Sequence, residues 1–529
     1  MLTARLLASR SDRRRYITSD CEACEDVQKA HHYTNSSDET CAVLTTSGMD
    51  TCCSAYLPPN LPHAVASGAV QMSDVDTMLS NLFAVKMRLG FYDDPAQQPY
   101  TSIPLERLCS KQALSLDAAR QALVLLKNAG GALPLSAAAV KSVAVVGPNG
   151  NAVEAAEGNY NGVPCSSAAW NEPLIYTIRQ GFGAYLPPSA VAFAPGCDDG
   201  VPCTKTAGFA NASAAAAAAD LTVVVVGLDQ GQESEGNDRD AIGLPGNQSA
   251  LVAQTCAAAR GPCVLVVMTG GPVDISAELA NPKVTGALFV GYPGPFGGNA
   301  TAQAIFGDLA PAGRLTTTIY PKTFVDEVSF FDQGLAPGPS AFPPGSSPGR
   351  THMYYTGQAV LPFGWGLSYT TWAYAVDSVL GLASPAASML PRLSLAPVHE
   401  YLAAHPRHGA MFAPLTWREL VQYRVNVTNT GSVDSDDVVL GFLVPPGAGQ
   451  NGVPLQTLFG FARVFVPAGG TVQVWLGVEA RSLTRIVRGS GRRVAAPGLY
   501  TVRVGVAFNR GGALEVPSAL AEHSFVADA

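Results

Sequence analysis

Two groups of acidic side chains stand out in a chain of which only 14% of the residues are charged. The first group is Thr18-Ser-Asp-Cys-Glu22, where Asp20 follows a short β-prone run. The second is Gly227-Leu-Asp-Gln-Gly-Gln-Glu-Ser-Glu-Gly-Asn-Asp-Arg239, with four acids in ten residues directly after an apolar run. Carboxyl groups at strand ends can act as nucleophiles or as general acids and bases. Each group also has a plainer interpretation, Asp20 as a turn residue and the second group as a solvated loop.

A pair of such groups predicts a specific chemistry. Hydrolysis of a glycosidic bond with retained configuration uses two carboxyl groups about 5–5.5 Å apart, one ionised as nucleophile and one protonated as acid. The two groups need not come from one domain, and different burial keeps their protonation states apart. Whether the two acidic groups can act as such a pair therefore depends on the helices and strands that position them.

The first fifth of the sequence, residues 1–104, predicts a small helical unit followed by a linker. Residues 73–89 repeat apolar side chains at helical spacing, with Ser73 as the predicted N-cap and Gly90 as the stop. The Pro-rich stretch 94–104 is predicted to be a linker.

The remainder predicts an α/β domain and then a β-sandwich. Within 105–370, Leu105–Asn128 is predicted to be one long amphipathic segment. Three continuous apolar runs then predict buried parallel strands, namely Val143–Val146, Leu221–Val226 and Val264–Met268. Residues 371–415 are predicted to be a connection with an Ala-, Pro- and Ser-rich insertion at Ala383–Leu415. Alternating segments within 416–529 predict the sandwich strands, namely Tyr423–Gly431, Val472–Leu476 and Leu499–Val506.

Many short motifs accompany the acidic groups in a fixed order. They are His32-Tyr-Thr34, Gly48-Met-Asp-Thr-Cys52, Leu125-Leu-Lys-Asn128, Val145-Val-Gly-Pro-Asn149, Gly158-Asn-Tyr160, Gly162-Val-Pro-Cys165, Leu244-Pro-Gly246, Gly270-Gly-Pro-Val-Asp274, Gly291-Tyr-Pro-Gly294, Gly313-Arg314, Pro348-Gly-Arg-Thr351, Pro362-Phe-Gly-Trp-Gly-Leu-Ser-Tyr369 and Gly460-Phe-Ala-Arg-Val464. Their order, and the Ser-Asp-Cys and Gly-Leu-Asp-Gln forms of the acidic groups, resemble glycoside hydrolase family 3 in its plant and fungal β-xylosidase form. The resemblance covers about residues 16–510.

The resemblance implies an α/β multi-domain fold. Its parts are a partial (β/α)8 barrel over 1–93, an α/β sandwich domain over 105–370 and a fibronectin type III-like β-sandwich over 416–529. Family members carry a long barrel ahead of the Ser-Asp motif, whereas only 18 residues precede Ser19 here. We therefore expect the true N-terminus and most barrel strands to be absent.

The resemblance also implies roles for the acidic residues. Asp20 is the expected nucleophile, and Glu233 the expected acid/base because it takes the first position of the E-x-E-G pattern. Glu235 is the alternative acid/base, which the sequence alone leaves open. The implied activity is exo-acting release of terminal β-D-xylosyl residues from xylan-type substrates, with α-L-arabinofuranosyl residues as a companion substrate. No metal or cofactor is implied.

Three other functions remain open from the sequence. One is a catalytically inactive homologue that binds glycan or serves as a structural remnant, and another is a β-glucosidase. A nucleotide site near Val143–Gly147 is the third, although no G-x-G-x-x-G motif follows a strand.

Composition indicates which compartment and which classes of partner are compatible with the chain. A net charge of −8 disfavours nucleic acid, and no apolar stretch is long enough to predict a membrane span. Eleven cysteines indicate disulfides, with Cys197 expected to pair with Cys203, and Cys21 with one of Cys52 and Cys53. Five N-glycosylation sequons also favour an extracellular or cell-wall location, at Asn35, Asn211, Asn247, Asn299 and Asn426. The first residues contain no convincing signal peptide.

Overall fold

A computed structural model of the chain describes residues 16–528 except 105–106, 108–110, 161–174, 384–388, 405–418, 488–489, 507, 511–512 and 516–518. The motif Gly162-Val-Pro-Cys165 lies outside the described residues. The chain divides into two compact units, Met1–Ser110 and Lys111–Ala529. In the described part of the chain, no helix combines the length and the apolar composition needed to cross a bilayer.

The first unit contains two strand–helix repeats. Strands β1 (Thr18–Cys21) and β2 (Thr51–Cys53) pair in parallel. Parallel neighbours need a crossover, and helices supply it here. The crossover contains α1 (Ala23–Lys29) and α2 (Ser37–Thr46), and β2 is followed by α3 (Leu57–Ala66) and α4 (Met72–Arg88). This arrangement agrees with the predicted barrel fragment.

Helix α4 confirms the predicted helix but corrects its start. The N-cap is Gln71, whose backbone N–H donates to the Asp74 carboxylate over 3.3 Å. Asp74, three residues after Gln71, completes a capping box, so Ser73 lies inside the first turn and is not the cap. Gly90 follows the helix with φ +74°, a conformation that glycine adopts without strain.

The predicted linker 94–104 lies in the first unit and has local structure of its own. A 3₁₀ turn covers Pro95–Gln97, and the Gln98 amide donates to the backbone oxygen of Gly90 over 3.1 Å. This bond ties the segment to the end of helix α4.

The second unit begins with an α/β domain built on a six-stranded sheet in the order β3-β8-β7-β6-β4-β5. The strands are β3 (Val124–Asn128), β4 (Val143–Val146), β5 (Val191–Ala194), β6 (Leu221–Gly227), β7 (Cys263–Met268) and β8 (Val284–Phe289). All neighbours are parallel except the pair β3 and β8. The three predicted apolar strands are confirmed as β4, β6 and β7.

Nine α-helices of the described residues accompany this sheet in the α/β domain. They are α5 (Gln112–Ala122), α6 (Glu154–Glu157), α7 (Ile178–Gly181), α8 (Phe209–Ala218), α9 (Gln248–Ala258), α10 (Ser276–Ala280), α11 (Gly297–Phe306), α12 (Phe324–Glu327) and α13 (Thr351–Tyr354). A two-stranded ribbon of β9 (Gly338–Pro339) and β10 (Ser346–Ser347) lies in the connection before α13.

The prediction of one amphipathic segment over Leu105–Asn128 is wrong at its C-terminal end. Helix α5 stops at Ala122, and β3 follows at once. Leu123 and Leu125 enter the core on one side of the sheet, whereas Val124 and Leu126 enter the core on the other. Side chains that alternate between two buried faces require the two-residue period of a strand.

The C-terminal domain is a β-sandwich of two antiparallel-rich sheets, as predicted. Their orders are β11-β13-β16 and β12-β22-β19-β14-β15. The strands of the domain are β11 (Trp372–Leu380), β12 (Arg392–Ser394), β13 (Glu419–Asn429), β14 (Ser435–Val444), β15 (Thr457–Val466), β16 (Thr471–Glu479), β17 (Thr484–Ile486), β18 (Arg493–Ala495), β19 (Gly498–Gly505), β20 (Phe508–Arg510), β21 (Ala513–Glu515) and β22 (Leu520–Asp528).

The segment 371–415 is more than the predicted connection. Strand β11 pairs along its length with β13, and Trp372 lies in the sandwich core. Helix α14 (Ala396–Ala404) follows β12, and Val398 at its start is fully buried in the same core. The domain therefore starts near residue 372.

Candidate active site

Asp20 lies on strand β1 of the first unit and is solvent-exposed. Its Oδ1 accepts a hydrogen bond from the backbone N–H of Cys21 over 2.8 Å. The neighbouring Ser19 accepts from the backbone N–H of Cys53 over 3.0 Å, which fixes β1 against β2. The Asp20 carboxylate therefore has a rigid base and a free Oδ2 within the described residues.

Two disulfides and a buried acid hold this base together. Cys21 pairs with Cys53, and Cys24 pairs with Cys52. The pairing of Cys21 with one member of the Cys52–Cys53 doublet confirms the sequence prediction, as does the Cys197–Cys203 bridge in the second unit. A further bridge, Cys256–Cys263, was not predicted, and Cys41 is a buried free thiol.

Asp50, in the Gly48–Cys52 motif, has a structural role that the sequence did not reveal. Its Oδ2 accepts from the backbone N–H of Ile17 over 2.7 Å, and its Oδ1 accepts from the Asn81 amide over 2.9 Å. The buried carboxylate thus links the start of β1 to helix α4.

The acidic loop 227–239 leaves the sheet at the C-terminal end of β6, where glycine is required. Gly227 has φ +150°, and a Cβ there would lie 1.9 Å from the backbone oxygen of Met268. The buried Gln248 amide accepts from Gly227 N over 2.8 Å and donates to Gly227 O over 3.0 Å. Asn149, which follows β4, donates to Leu228 O over 2.9 Å. Hydrogen bonds from helix α9 and from the segment after β4 thereby fix the start of the loop.

Glu233, the predicted acid/base, lies in a closed set of donors. Its Oε1 accepts from Gly270 N (2.8 Å), Gly271 N (3.0 Å) and the Tyr292 hydroxyl (2.7 Å). Its Oε2 accepts from Arg239 Nε over 3.1 Å in an ion pair whose side chains are 20% and 16% exposed. We call these four donors the Glu233 clamp.

The clamp depends on the order of strands in the sheet. Gly270 and Gly271 follow β7, and Tyr292 follows β8, while Glu233 follows β6. Because β8, β7 and β6 are neighbours and run in parallel, the loops after them meet at one edge. A Cβ on Gly271 would lie 2.8 Å from Glu233 Oε2, so the glycine pair allows the backbone to approach the carboxylate.

Tyr292 is a further residue of the candidate site, and the sequence analysis did not single it out. Burial, and then its hydrogen bond to Glu233, raise the pKa of the Tyr292 phenol. The phenol therefore stays protonated at neutral pH and donates to the carboxylate. Its only signal in the sequence was its place in the motif Gly291-Tyr-Pro-Gly294.

Glu235, the alternative acid/base, differs from Glu233 in its exposure and in its hydrogen bonding. It is exposed at the tip of a tight turn closed by two backbone hydrogen bonds between Ser234 and Asn237, of 3.0 and 3.2 Å. Gly236 takes φ +74° in this turn, and the Asn237 amide anchors it by donating to Gly231 O over 2.8 Å. No group in the described part of the chain hydrogen bonds to the Glu235 carboxylate.

Several other motif residues have structural roles. Gly147, near the suggested nucleotide site, lets strands approach, since a Cβ there would lie 2.1 Å from Val225 O. Arg314 forms an ion pair with Asp437 of the β-sandwich, and both side chains are buried. The Trp365 indole donates to Leu126 O over 3.2 Å. The Arg314–Asp437 ion pair joins the α/β domain to the sandwich, whereas the other two contacts lie within the α/β domain.

Comparison with known proteins places both domains of the second unit. Residues 123–369 match the glycosyl hydrolase family 3 C-terminal domain, and residues 437–507 match the fibronectin type III-like domain. Beta-xylosidase/alpha-L-arabinofuranosidase 2 of Medicago sativa subsp. varia is 36% identical over 93% of this chain and 60% of its own length. Beta-D-xylosidase 1 of Arabidopsis thaliana is 35% identical over 93% of this chain and 61% of its own length.

A solved structure extends the similarity to the whole fold. A family 3 exo-beta-xylosidase, XlnD, in complex with a xylobiose aziridine probe superposes with a TM-score of 0.82 and 29% identity. The match covers 98% of this chain and 62% of that one. The chain spans about three-fifths of the length of the relatives it matches. The chain therefore contains the C-terminal domain of glycosyl hydrolase family 3, followed by a fibronectin type III-like domain.

Proposed function

We propose that the chain carries the catalytic carboxyl groups of a retaining, exo-acting β-xylosidase that removes terminal β-D-xylosyl residues from xylan-type substrates. The two plant relatives are named as β-xylosidases, and one also as an α-L-arabinofuranosidase, which supports pentosides as the substrate class. The Ser-Asp-Cys form around Asp20 favours a xylosidase over a β-glucosidase. The observation that carries the mechanism is the Glu233 clamp.

The clamp favours Glu235 as the acid/base and reverses the preference drawn from the sequence. A general acid presents its own proton to the leaving oxygen, so it needs an oxygen free of protein donors. Both oxygens of Glu233 already accept from protein groups, and an acceptor-only carboxylate has no proton to give. Glu235 is exposed two residues further along. We assign the acid/base role to Glu235 and a positioning role to Glu233.

In the proposed reaction, Asp20 is the nucleophile. Its carboxylate bonds to the anomeric carbon of the terminal xylose while the bond to the leaving oxygen breaks, and Glu235 gives that oxygen a proton. Glu235, now a carboxylate, then takes a proton from water as the water oxygen bonds to the same carbon. Asp20 leaves, and the sugar is released with its original configuration.

Two isosteric variants separate the roles of the two glutamates. Glu235→Gln should lower kcat/KM on xylobiose by about 10²–10⁴-fold but spare an aryl β-D-xyloside, whose phenolate leaves without a proton. Glu233→Gln disturbs the loop and should affect both substrates alike. Glu233 would be the acid if the dependence on leaving group appeared in Glu233→Gln and not in Glu235→Gln.

We also propose that the protein passes through an oxidising secretory compartment. The described residues contain four disulfides, and such bonds persist in extracellular settings. Thiol labelling of the denatured protein from its native source, with and without prior reduction, tests this. Labelling of only the unpaired thiols before reduction supports the proposal, and labelling of every cysteine contradicts it.

A further inference from the structure

The solvent side of the three-stranded sheet β11-β13-β16 combines a sequon with an exposed aromatic ring. Asn426, in Asn426-Val-Thr428, lies on the central strand β13. Trp475 lies on the neighbouring strand β16, and the residue is 50% exposed. Arg424 lies over the indole ring, 5.6 Å from its centre, and steadies it.

The strand register places the amide near the ring. Asn426 is opposite Gln473, and Trp475 is two residues further along the same face of β16. Residues at such a diagonal are about 7–8 Å apart and their Cβ atoms are somewhat closer, so a sugar attached to the Asn426 side chain can reach the Trp475 ring. On the other side, Asn426 is opposite Ala375, which is exposed and small and leaves room above the sheet.

The hydrogen bonds of Asn426 tolerate a sugar on its nitrogen. Its Oδ1 accepts from the Gln473 amide over 2.9 Å, and its Nδ2 donates to Asp377 over 3.4 Å. An N-linked sugar replaces one of the two Nδ2 hydrogens and leaves the other to donate. Both bonds are therefore compatible with the modified side chain.

The other sequons differ in their surroundings. Asn299 lies in helix α11, where its Oδ1 and the following Ala300 are buried. Asn247 is exposed, and its Nδ2 donates to Cys203 O over 2.9 Å, a bond that a modified amide can keep as at Asn426, but no aromatic ring is paired with it among the described residues. Asn35 and Asn211 are exposed and can report whether the chain meets the glycosylation machinery at all.

We propose that Asn426 carries an N-linked glycan whose first N-acetylglucosamine packs against the Trp475 ring. This inference depends on the proposed secretory route. The co-reactant is a lipid-diphosphate-linked oligosaccharide. Asn426 Nδ2 bonds to C1 of the first sugar, the bond from C1 to the diphosphate oxygen breaks, Nδ2 loses one proton, and the lipid diphosphate leaves. The apolar face of the sugar then covers the exposed indole.

Thr428 offers a matched pair of variants for the site itself. Its hydroxyl pairs with the Thr471 hydroxyl over 2.8 Å. Thr428→Ser keeps both this hydroxyl and the sequon, whereas Thr428→Ala removes both. Site occupancy is measured by glycopeptide mass spectrometry of the full chain after secretion from a eukaryotic host. We expect glycan on Asn426 in the parent and in Thr428→Ser, and none in Thr428→Ala.

The same pair tests the packing when it is combined with Trp475→Ala in a double-mutant cycle. In each background, the measured quantity is the melting temperature of Thr428→Ser minus that of Thr428→Ala. We expect this difference to be about 2–4 °C larger with Trp475 present than in the Trp475→Ala background. Equal differences in both backgrounds would overturn the packing.

The outcomes also separate this inference from the secretory proposal. A secreted chain with glycan on Asn35 or Asn211 but a bare Asn426 overturns the site and leaves the secretory route intact. A chain with no glycan on any of the five sequons contradicts the route and the site together.

Discussion

The Glu233 clamp makes a quantitative prediction for the variant Tyr292→Phe. Phenylalanine keeps the shape of the half-buried ring, so the change removes the 2.7 Å hydrogen bond to Glu233 and leaves no cavity. A hydrogen bond to a charged group contributes about 1.5–3 kcal/mol, which corresponds to about a ten- to hundredfold change in an opening equilibrium. The backbone N–H groups of Gly270 and Gly271 donate to the same carboxylate. Their protection against hydrogen exchange should therefore fall by that factor.

Amide hydrogen exchange at these two glycines is the assay. The control is Tyr185→Phe, which removes a phenol–carboxylate bond to Asp308, outside the acidic loop. We expect exchange at both glycines to accelerate about ten- to hundredfold in Tyr292→Phe and to stay unchanged in the control. The clamp would be refuted if Tyr292→Phe left the exchange of both glycines unchanged, or if the control accelerated it equally.

Three further perturbations test the supports of the site. Gln248→Ala leaves buried backbone groups without partners and should lower the free energy of unfolding by at least about 2 kcal/mol, whereas Gln254→Ala on the same helix should cost under about 0.5 kcal/mol in denaturant titrations. Asp437→Asn strands a buried arginine and should cost about 3–5 kcal/mol, against about 0–1 kcal/mol for the more exposed Asp436→Asn. Similar losses for the two members of either pair would contradict these assignments. Reduction of the disulfides opens two loops in the first unit, spanning 32 and 28 residues, and each closed loop contributes about 3–4 kcal/mol of stability. A reducing agent should therefore lower the melting temperature of the first unit more than that of the second unit.

Much of the fold was predictable because its signals are local. The apolar runs at β4, β6 and β7 are strands buried on both sides of a parallel sheet, which makes them continuously apolar. Strand β3 (Val124–Asn128) was not predicted, because a Leu-rich segment next to a helix fits helical spacing as well as strand alternation. Only its antiparallel pairing with β8 decides between them. Likewise, the pairing of Trp372–Leu380 with β13 makes this segment a strand of the sandwich.

The site was predictable in its residue types but not in their roles. Glu233 and Glu235 lie two positions apart in the same pattern, and nothing in the sequence near them tells them apart. The difference comes from Gly270 and Tyr292, which lie 37 and 59 residues away from Glu233 and reach it only through the order of the strands. Contacts of that range are set by tertiary structure and have no local signal.

The most direct test of the central claim is covalent labelling of Asp20. An aryl 2-deoxy-2-fluoro-β-D-xyloside forms a slowly hydrolysed glycosyl-enzyme with the nucleophile of a retaining enzyme. Mass spectrometry of the full chain should place the sugar on Asp20, in the tryptic peptide 16–29, and the adduct should be absent from Asp20→Asn and present in the exposed-acid control Asp76→Asn. A folded chain that gains no adduct, or gains it on another carboxylate, would contradict the account.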